Sequence, residues 1–152
     1  MTTMAAEPEF IDTNILVYGV LTSSPLHAQA IQALEERERA GVELWISRQI
    51  LREYVSALTR GGPAKSVVPM PDVVADLVAF QSRYRIAEDG QSVTDQFLVL
   101  LGAVPIGGKQ VHDANIVATM LAHGLKRLLT HNVADFRRFS PWIDVIPLIP
   151  VP

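Results

Sequence analysis

The sequence predicts a single α/β domain in which a central, mainly parallel sheet is flanked by helices, and three observations lead to that fold class. Predicted strands and helices alternate along the whole chain, which is the pattern of a parallel sheet with helical crossovers. The length of 152 residues suits one domain. An apolar fraction of 49%, with 19% charged residues, is typical of a chain that folds around a packed core.

Short local signals divide the first half of the chain into elements. Phe10-Ile11 is predicted to be a buried strand, and the polar Asp12-Thr13-Asn14 after it marks a strand end or a strand-to-helix turn. Ser24-Pro25 predicts a helix start, with a hydroxyl cap before a proline, and Gly41 predicts its end. The other elements expected here are a strand over 42–46, a helix over 48–60 capped by Ser47, and a loop over 61–71.

Glycine and proline divide the second half in the same way. Gly102 and Gly124 are each predicted to end a helix. Pro147 restricts the last strand to an edge of the sheet, because proline lacks the N–H that an inner strand must donate. The expected elements are helices over 72–84, 92–101 and 113–123, strands over 85–88, 126–130 and 143–149, and a helical turn over 133–139.

The composition excludes several function classes. The chain has no cysteine, so it has no disulfide, thiolate nucleophile or cysteine-bound zinc. No apolar run approaches membrane-spanning length and no secretory leader precedes the first strand, so we expect a cytoplasmic protein without a membrane partner. A net charge of −3 disfavours a passive nucleic-acid binder; a chain that handles nucleic acid would need a local basic patch or a bound metal.

Four carboxylates form the candidate site. Asp12 follows the first predicted strand, Glu53 lies in the helix after the second, and Asp135 follows the strand that ends at Thr130. Ligand sites of parallel sheets lie at the carboxyl ends of the strands, so we expect these three acids near one another. Asp113 heads the apolar face of its own helix, where an unpaired charge would be costly.

Each acid taken alone also has a purely structural explanation. Asp12 and Asp113 suit helix N-termini, where a carboxylate caps free N–H groups and favours the helix dipole. Glu53, at the margin of an apolar stripe, and Asp135 would be ordinary surface acids. Four clustered carboxylates, however, repel one another unless a cation neutralises them. Mg²⁺ and Mn²⁺ prefer carboxylate and water ligands, so they are the cations that this set predicts.

Four short motifs stand in order along the chain: Asp12-Thr13-Asn14 after a strand, Ser47 six residues before Glu53, His112-Asp113-Ala114, and Thr130-His131-Asn132 leading to Asp135-Phe136. Together they resemble the PIN-domain family and, within it, the VapC-type toxins of bacterial toxin–antitoxin pairs. The resemblance covers residues 9–146. It implies a PIN-like nuclease domain over 9–152, and it leaves residues 1–8 as a flexible N-terminal extension.

The resemblance implies a Mg²⁺- or Mn²⁺-dependent endoribonuclease that hydrolyses RNA phosphodiester bonds and is held inactive by a cognate antitoxin. A homodimer or a toxin–antitoxin hetero-oligomer is the assembly it implies. Asp12, Glu53, Asp113 and Asp135 would be the catalytic and metal-binding acids, with Asp12 and Asp113 the most direct metal ligands. The polar positions that usually brace these acids by hydrogen bonds are matched by Asn14, Thr130 and Asn132.

Basic residues and histidines near the motifs carry a weaker signal. His112 and His131 adjoin the motifs and would either assist proton transfer or simply pack and hydrogen-bond. The candidate RNA contacts are Arg48, Arg52, Arg60 and Lys109. The alternative for each of them is an ordinary solvated position on the protein surface.

Two other functions stay open at this point. A PIN-domain nuclease of RNA or DNA processing would use the same chemistry, although such relatives often carry helical arches or further domains. A catalytically silent PIN-like binding module would lack one or more of the acids, whereas all four are present here. The loop over 61–71 is either a flap over a partner groove or a long connection.

Overall fold

A fully parallel, five-stranded sheet lies at the centre of the computed structural model, which describes residues 4–150. Its strands are β1 (Glu9–Ile11), β2 (Leu44–Ser47), β3 (Arg85–Ala87), β4 (Arg127–Thr130) and β5 (Asp144–Pro147). Their order across the sheet is β3-β2-β1-β4-β5, so the first strand of the chain is the central one. The predicted α/β class with a parallel sheet is confirmed.

Helices flank this sheet, and they alternate with the strands as the sequence predicts. Within the described residues they are α1 (Thr13–Val20), α2 (His27–Arg39), α3 (Arg48–Leu58), α4 (Met70–Arg83), α5 (Gln91–Ala103), α6 (Gln110–Ala122) and α7 (Val133–Phe136). Single 3-10 turns occur at Pro63–Lys65 and Arg137–Phe139.

The core lies between the sheet and its helices. Strand residues such as Phe10, Ile46 and Leu128 are fully buried, because a parallel sheet is covered on both faces. In the register, Phe10 pairs with Trp45 on one side and with Leu128 on the other. The three central strands therefore end side by side, which brings the segments that follow them to one edge of the sheet.

The polar tripeptide after β1 is a strand-to-helix turn. Asp12 has an extended backbone (φ −74°, ψ 155°) and is the N-cap of α1. The next helix begins two residues later than predicted, because Ser24 caps a turn in front of it: its Oγ accepts the Leu26 N–H at 3.2 Å, and α2 begins at His27. Gly41 follows the end of α2 in the left-handed conformation (φ 73°), as expected of a C-terminal glycine.

Two helix boundaries of the second half differ from the prediction. Helix α5 continues through Gly102 to Ala103, because Gly102 keeps a negative φ and does not turn the chain. Helix α6 begins at Gln110, whose side chain accepts the Gly107 N–H at 3.1 Å. Asp113 is therefore in the first turn of α6 and does not cap it.

Proline positions shape the connections around the sheet. The predicted loop over 61–71 is shorter, since Pro69 precedes α4 and Pro71 fits within its first turn, where the missing N–H costs no hydrogen bond. Whether this connection is a flap stays a prediction. Pro147 lies on β5, which is an edge strand, as expected.

The amino end of β1 carries a buried ion network. Glu9 is 4% exposed and contacts both Arg37 and Arg127, the latter through its Oε1 at 3.2 Å. Two guanidinium partners compensate the desolvation of this carboxylate. Residues 1–3 of the expected extension lie outside the described residues, so its flexibility stays a prediction. Within residues 4–150, none of the helices has the length and apolar character needed to cross a membrane.

Candidate active site

Asp12 is the most deeply buried member of the candidate site, at 5% exposure. Its Oδ1 accepts the Thr13 N–H at 2.8 Å, and its Oδ2 accepts from Thr130 Oγ1 at 2.7 Å and from Asn14 Nδ2 at 2.9 Å. Burial still raises the pKa of Asp12 to about 6 despite these donors, and the charge of Glu53 adds to the rise. The three donors therefore offset the effect of burial on this carboxylate only in part.

Glu53 is held by donors from two different helices. Thr13 Oγ1 donates to its Oε2 at 2.7 Å, and Gln49 Nε2 donates to its Oε1 at 2.9 Å. Thr13 follows Asp12 directly in the chain, so the first contact ties the two carboxylates together. Glu53 therefore points toward the end of β1 instead of into solvent.

Gln49 connects α3 to α6 behind these acids. It is buried, and its Nε2 also donates to the carbonyl oxygen of His112 at 2.9 Å. Its Oε1 accepts from Asn115 Nδ2 at 2.8 Å. Because His112 precedes Asp113, this side chain sets the spacing between the helix that carries Glu53 and the turn that carries Asp113.

Asp113 is half-buried in the first turn of α6, and within residues 4–150 its side chain makes no hydrogen bond or ion pair. Burial raises its pKa to about 7, and repulsion from Asp135, Asp12 and Glu53 adds to the rise. Arg138 opposes it. The three other predicted acids are therefore among the groups that influence the ionisation of Asp113.

Asp135 lies at the rim of this group. It is exposed on α7, in the segment after β4, and it is the acid that repels Asp113 most strongly. Arg138, a turn further on, donates to the carbonyl oxygen of Pro105 at 3.3 Å, and its positive charge partly offsets the rise in the pKa of Asp113.

A cleft of about 560 Å³ opens over the acids. Asp12, Glu53 and Asp113 line it together with Asn14 and Asn132. The cleft is also lined by apolar and aromatic residues of α1 and the residue after it, and by a basic residue: Val17, Tyr18, Leu21 and Arg60. The Tyr18 ring meets His131 edge-on, with 5.7 Å between ring centroids.

The polar residues predicted to brace the acids lie among them. Thr130 Oγ1, besides donating to Asp12, accepts the Asn132 N–H at 2.9 Å. Asn14 bridges the same region, because its Oδ1 accepts the His131 N–H at 3.0 Å. These contacts hold the loop after β4 against the turn after β1.

The donor set fits a hard divalent cation that retains water. No three His, Asp or Glu side chains of residues 4–150 are grouped so that they could hold an ion by themselves. Mg²⁺, however, commonly uses one or two carboxylates and several waters. Asp12 and Asp113 are carboxylates whose ionised forms burial and repulsion disfavour, so a cation would stabilise both.

The predicted basic contacts separate into different environments. Arg60 lines the acidic cleft, and Arg52 lines a neighbouring cavity. Arg48 instead pairs with Glu88 at 2.6 Å. Lys109 is exposed at the start of α6, and His112 turns its backbone carbonyl toward Gln49.

Sequence reasoning missed three residues that contact or influence the acids: Gln49, Asn115 and Arg138. A signal existed for Gln49, because it precedes Glu53 by four residues and so shares its helix face. Asn115 and Arg138 act through contacts between segments that are distant in the chain, for which the sequence carries no local pattern.

Comparisons with known proteins identify the family to which this fold belongs. A family model described as the PIN domain matches residues 10–140. Ribonuclease VapC48 of Mycobacterium tuberculosis is 30% identical over 137 residues, which cover 87% of this chain and 92% of that protein. The chain therefore belongs to the PIN-domain family, and VapC-type proteins are its relatives there.

Solved structures show the same fold. The crystal structure of VapBC2 from Rickettsia felis bound to a promoter DNA fragment matches with a TM-score of 0.66 at 23% identity, covering 91% of this chain and 97% of that one. A toxin–antitoxin complex from Klebsiella pneumoniae matches with a TM-score of 0.65 at 22% identity, covering 94% and 99%.

Proposed function

We propose that this protein is a divalent-metal-dependent endoribonuclease and the toxin of a toxin–antitoxin pair. The observation that carries the proposal is the cleft beyond the carboxyl end of β1, which Asp12, Glu53 and Asp113 line together. Membership of the PIN-domain family and similarity to a protein named as a ribonuclease support RNA as the substrate. The cytoplasm, where RNA is abundant, is the compartment we propose.

Asp12 and Asp113 would hold a Mg²⁺ or Mn²⁺ ion most directly, and Glu53 and Asp135 would complete the site directly or through waters. Such an ion supplies, when bound, a lower pKa for water and charge stabilisation at phosphoryl oxygens. The raised pKa values of Asp12 and Asp113 are compatible with this assignment, because burial and then repulsion from other acids disfavour the ionised carboxylates that a cation would stabilise.

The chain's own polar residues would keep the acids in place for in-line displacement at a phosphodiester. Thr130 and Asn14 hold Asp12, while Thr13 and Gln49 hold Glu53, so these carboxylates lose little freedom when RNA binds. Arg60 at the cleft would contact the RNA backbone. We expect products with a 5′-phosphate and a 3′-hydroxyl.

An antitoxin protein is the partner we propose, with a homodimer or a toxin–antitoxin hetero-oligomer as the assembly. Structural similarity to two toxin–antitoxin complexes supports it. Helix α4 also exposes Met70, Val74 and Val78 at four-residue spacing, which aligns them on one face. An exposed apolar stripe of this kind is typical of a surface that a protein partner covers.

Cleavage of a mixed RNA panel that includes transfer RNA tests the proposal. The antitoxin-free protein is assayed with EDTA, Mg²⁺ or Mn²⁺, next to Asp113→Asn and the control Asp144→Asn, which alters an exposed acid on β5. We expect metal-dependent cleavage by the wild type and the control, and loss of at least about a hundredfold in Asp113→Asn, since a group acting on the reacting atoms contributes on this order.

Two outcomes would contradict the proposal. Cleavage by Asp113→Asn at the wild-type rate would remove the carboxylate cluster from the reaction. Absence of cleavage by the folded wild-type protein on the whole panel would favour a PIN-like binding module.

A further inference from the structure

A second cavity, of about 500 Å³, opens beside the acidic cleft, between α3 and the pair α5 and α6. Glu53 and Ser56 line both the cavity and the cleft, so the two are continuous. If a polymeric substrate binds with its reacting bond over the acids, the residue of the polymer next to that bond can therefore enter this cavity.

Two residues of types that stack on bases line the cavity. The ring of Phe97 and the side chain of Arg52 both line it, on α5 and α3 respectively. Arg52 forms no ion pair within the described residues, so its guanidinium is available to a ligand. Aromatic rings and guanidinium planes are the groups on which unpaired RNA bases stack.

The cavity also offers a fixed polar group. Asn115 lines it and donates one amide hydrogen to Gln49 Oε1 at 2.8 Å. Gln49 is itself anchored on Glu53 and on His112, so Asn115 is held in place from behind. A primary amide has a second hydrogen and a carbonyl oxygen, which together can pair with the donor and acceptor edge of a base.

We propose that this cavity is a base subsite: it receives the base of an unpaired nucleotide next to the phosphate that is cut. Phe97 and Arg52 stack on that base, and Asn115 reads its edge. The inference rests on the proposed ribonuclease function and deepens it, because it assigns the place at which a base next to the cut is held. A base held in a duplex cannot enter a cavity of this kind without leaving its stack.

Cleavage of random-sequence, single-stranded RNA with sequencing of the cut ends tests the subsite. The wild type is expected to prefer particular bases at a nucleotide next to the cut. Phe97→Leu and Arg52→Ala are expected to flatten that preference and to lower kcat/KM by about tenfold, within the range of one base–aromatic stack. Arg52 is exposed, so its variant keeps the test valid if Phe97→Leu folds poorly. Leu98→Ala, next to Phe97 but 60% exposed and outside the cavity, is the matched control.

A second experiment removes the base instead of the side chain. For the wild type, kcat/KM is expected to be about tenfold lower on an RNA with an abasic nucleotide at the preferred position than on the intact RNA. For Phe97→Leu, the abasic RNA and the intact RNA are expected to have the same kcat/KM. Additive losses, or a base preference that Phe97→Leu leaves unchanged, would overturn the subsite while leaving metal-dependent cleavage intact.

Binding without cleavage separates this inference from the proposed function. Fluorescence anisotropy in EDTA compares Asp113→Asn bound to a mixed-sequence RNA octamer with the same protein bound to an abasic octamer. We expect Asp113→Asn to bind the abasic octamer about tenfold more weakly than the mixed-sequence octamer. The double variant Asp113→Asn/Phe97→Leu should bind the two octamers equally well. Equal binding of both octamers by Asp113→Asn would overturn the subsite, whereas failure of cleavage alone would overturn only the ribonuclease function.

Discussion

Glu9 and Asp113 lie beside the same sheet, but the charged groups around the two carboxylates differ. Glu9 contacts two arginines at the amino end of β1. Asp113 has three other acids for neighbours and a single arginine that opposes them. The first carboxylate is compensated by arginines of the fold, whereas burial and repulsion favour the protonated form of the second.

The charge of Asp113 is expected to destabilise the metal-free protein above neutral pH. The folded state raises its pKa from 3.8 to about 7, so folding favours the protonated form. The resulting stability is present below pH 4 and is lost as the pH rises through 7. Asp113→Asn cannot ionise, so in EDTA its melting temperature should exceed that of the wild type by a few degrees at pH 8 and by much less at pH 4.

Thermal unfolding at the two pH values measures this difference directly. Asp144→Asn, an exposed acid on β5, should show no such pH-dependent gain over the wild type. A constant offset between Asp113→Asn and the wild type would mean that the substitution acts through packing and not through charge.

Gln49 is expected to act as a positioning residue for Glu53. Gln49→Met keeps the volume of the side chain but removes both donated hydrogen bonds and the acceptor for Asn115. We expect a fall in kcat of at least about tenfold, since a carboxylate that is free to move loses its alignment. The fold should survive a cost of about 1–3 kcal/mol for the groups left unpaired.

Single-turnover cleavage and thermal unfolding, measured on the same protein, separate these two effects. Gln29→Met on the exposed face of α2 is the matched control. An unchanged kcat in Gln49→Met would show that the contact with Glu53 serves stability alone.

At the scale of the elements, two glycines that look alike in the sequence have opposite roles. Gly41 has φ 73° after α2, whereas Gly102 lies within α5, with open space where an added Cβ would lie. Gly41→Ala forces a left-handed alanine and should cost about 1–2 kcal/mol. Gly102→Ala should stabilise the protein by about 0.4–1 kcal/mol, because alanine loses less backbone freedom in a helix.

Chemical denaturation of the two variants measures both changes in the free energy of unfolding, the loss expected for Gly41→Ala and the gain expected for Gly102→Ala. Equal effects of Gly41→Ala and Gly102→Ala would contradict the assignment of Gly102 to the helix. That result would instead support the sequence-based prediction that the helix ends at Gly102.

Elements were predictable where the chain carries a local signal for them. Alternating strands and helices, and the acid after each central strand, follow from patterns within a few residues of one another. The starts of α2 and α6 were missed, because Ser24 and Gln110 bond to turns in front of these helices and no residue type marks that difference.

The candidate site was predictable to the same extent. Asp12, Glu53 and Asp135 were expected together because strand ends share an edge of the sheet. The link from Gln49 to Asn115 spans 66 residues of sequence, so only the packing of α3 on α6 reveals it. Local patterns therefore predict which acids meet, and tertiary contacts decide what holds them.

At the scale of the whole molecule, divalent ions are expected to stabilise the fold. A ligand that binds only the folded state adds about 2.7 kcal/mol at a hundred times its Kd. In a domain of this size, such a gain raises the melting temperature by about 5–10 °C. At pH 8, Mg²⁺ should therefore raise the melting temperature of the wild type relative to EDTA, and Asp12→Asn should lose most of this gain.

Sodium chloride at matched ionic strength is the control, because salt alone screens repulsion between the exposed parts of the acids. An equal gain from sodium and magnesium would indicate general screening. That result would count against a specific divalent site.

Asp12 both begins α1 and supplies the deepest carboxylate of the cluster. Asparagine caps a helix about as well as aspartate does, but it carries no charge. The codons of the two amino acids differ at one base, so, if the proposed nuclease function holds, a single nucleotide change in the gene can yield a chain that still folds and no longer cuts RNA. If the protein is a toxin, a cell that loses its antitoxin has a short mutational route to survival, and the inert product would persist as a folded protein instead of being degraded.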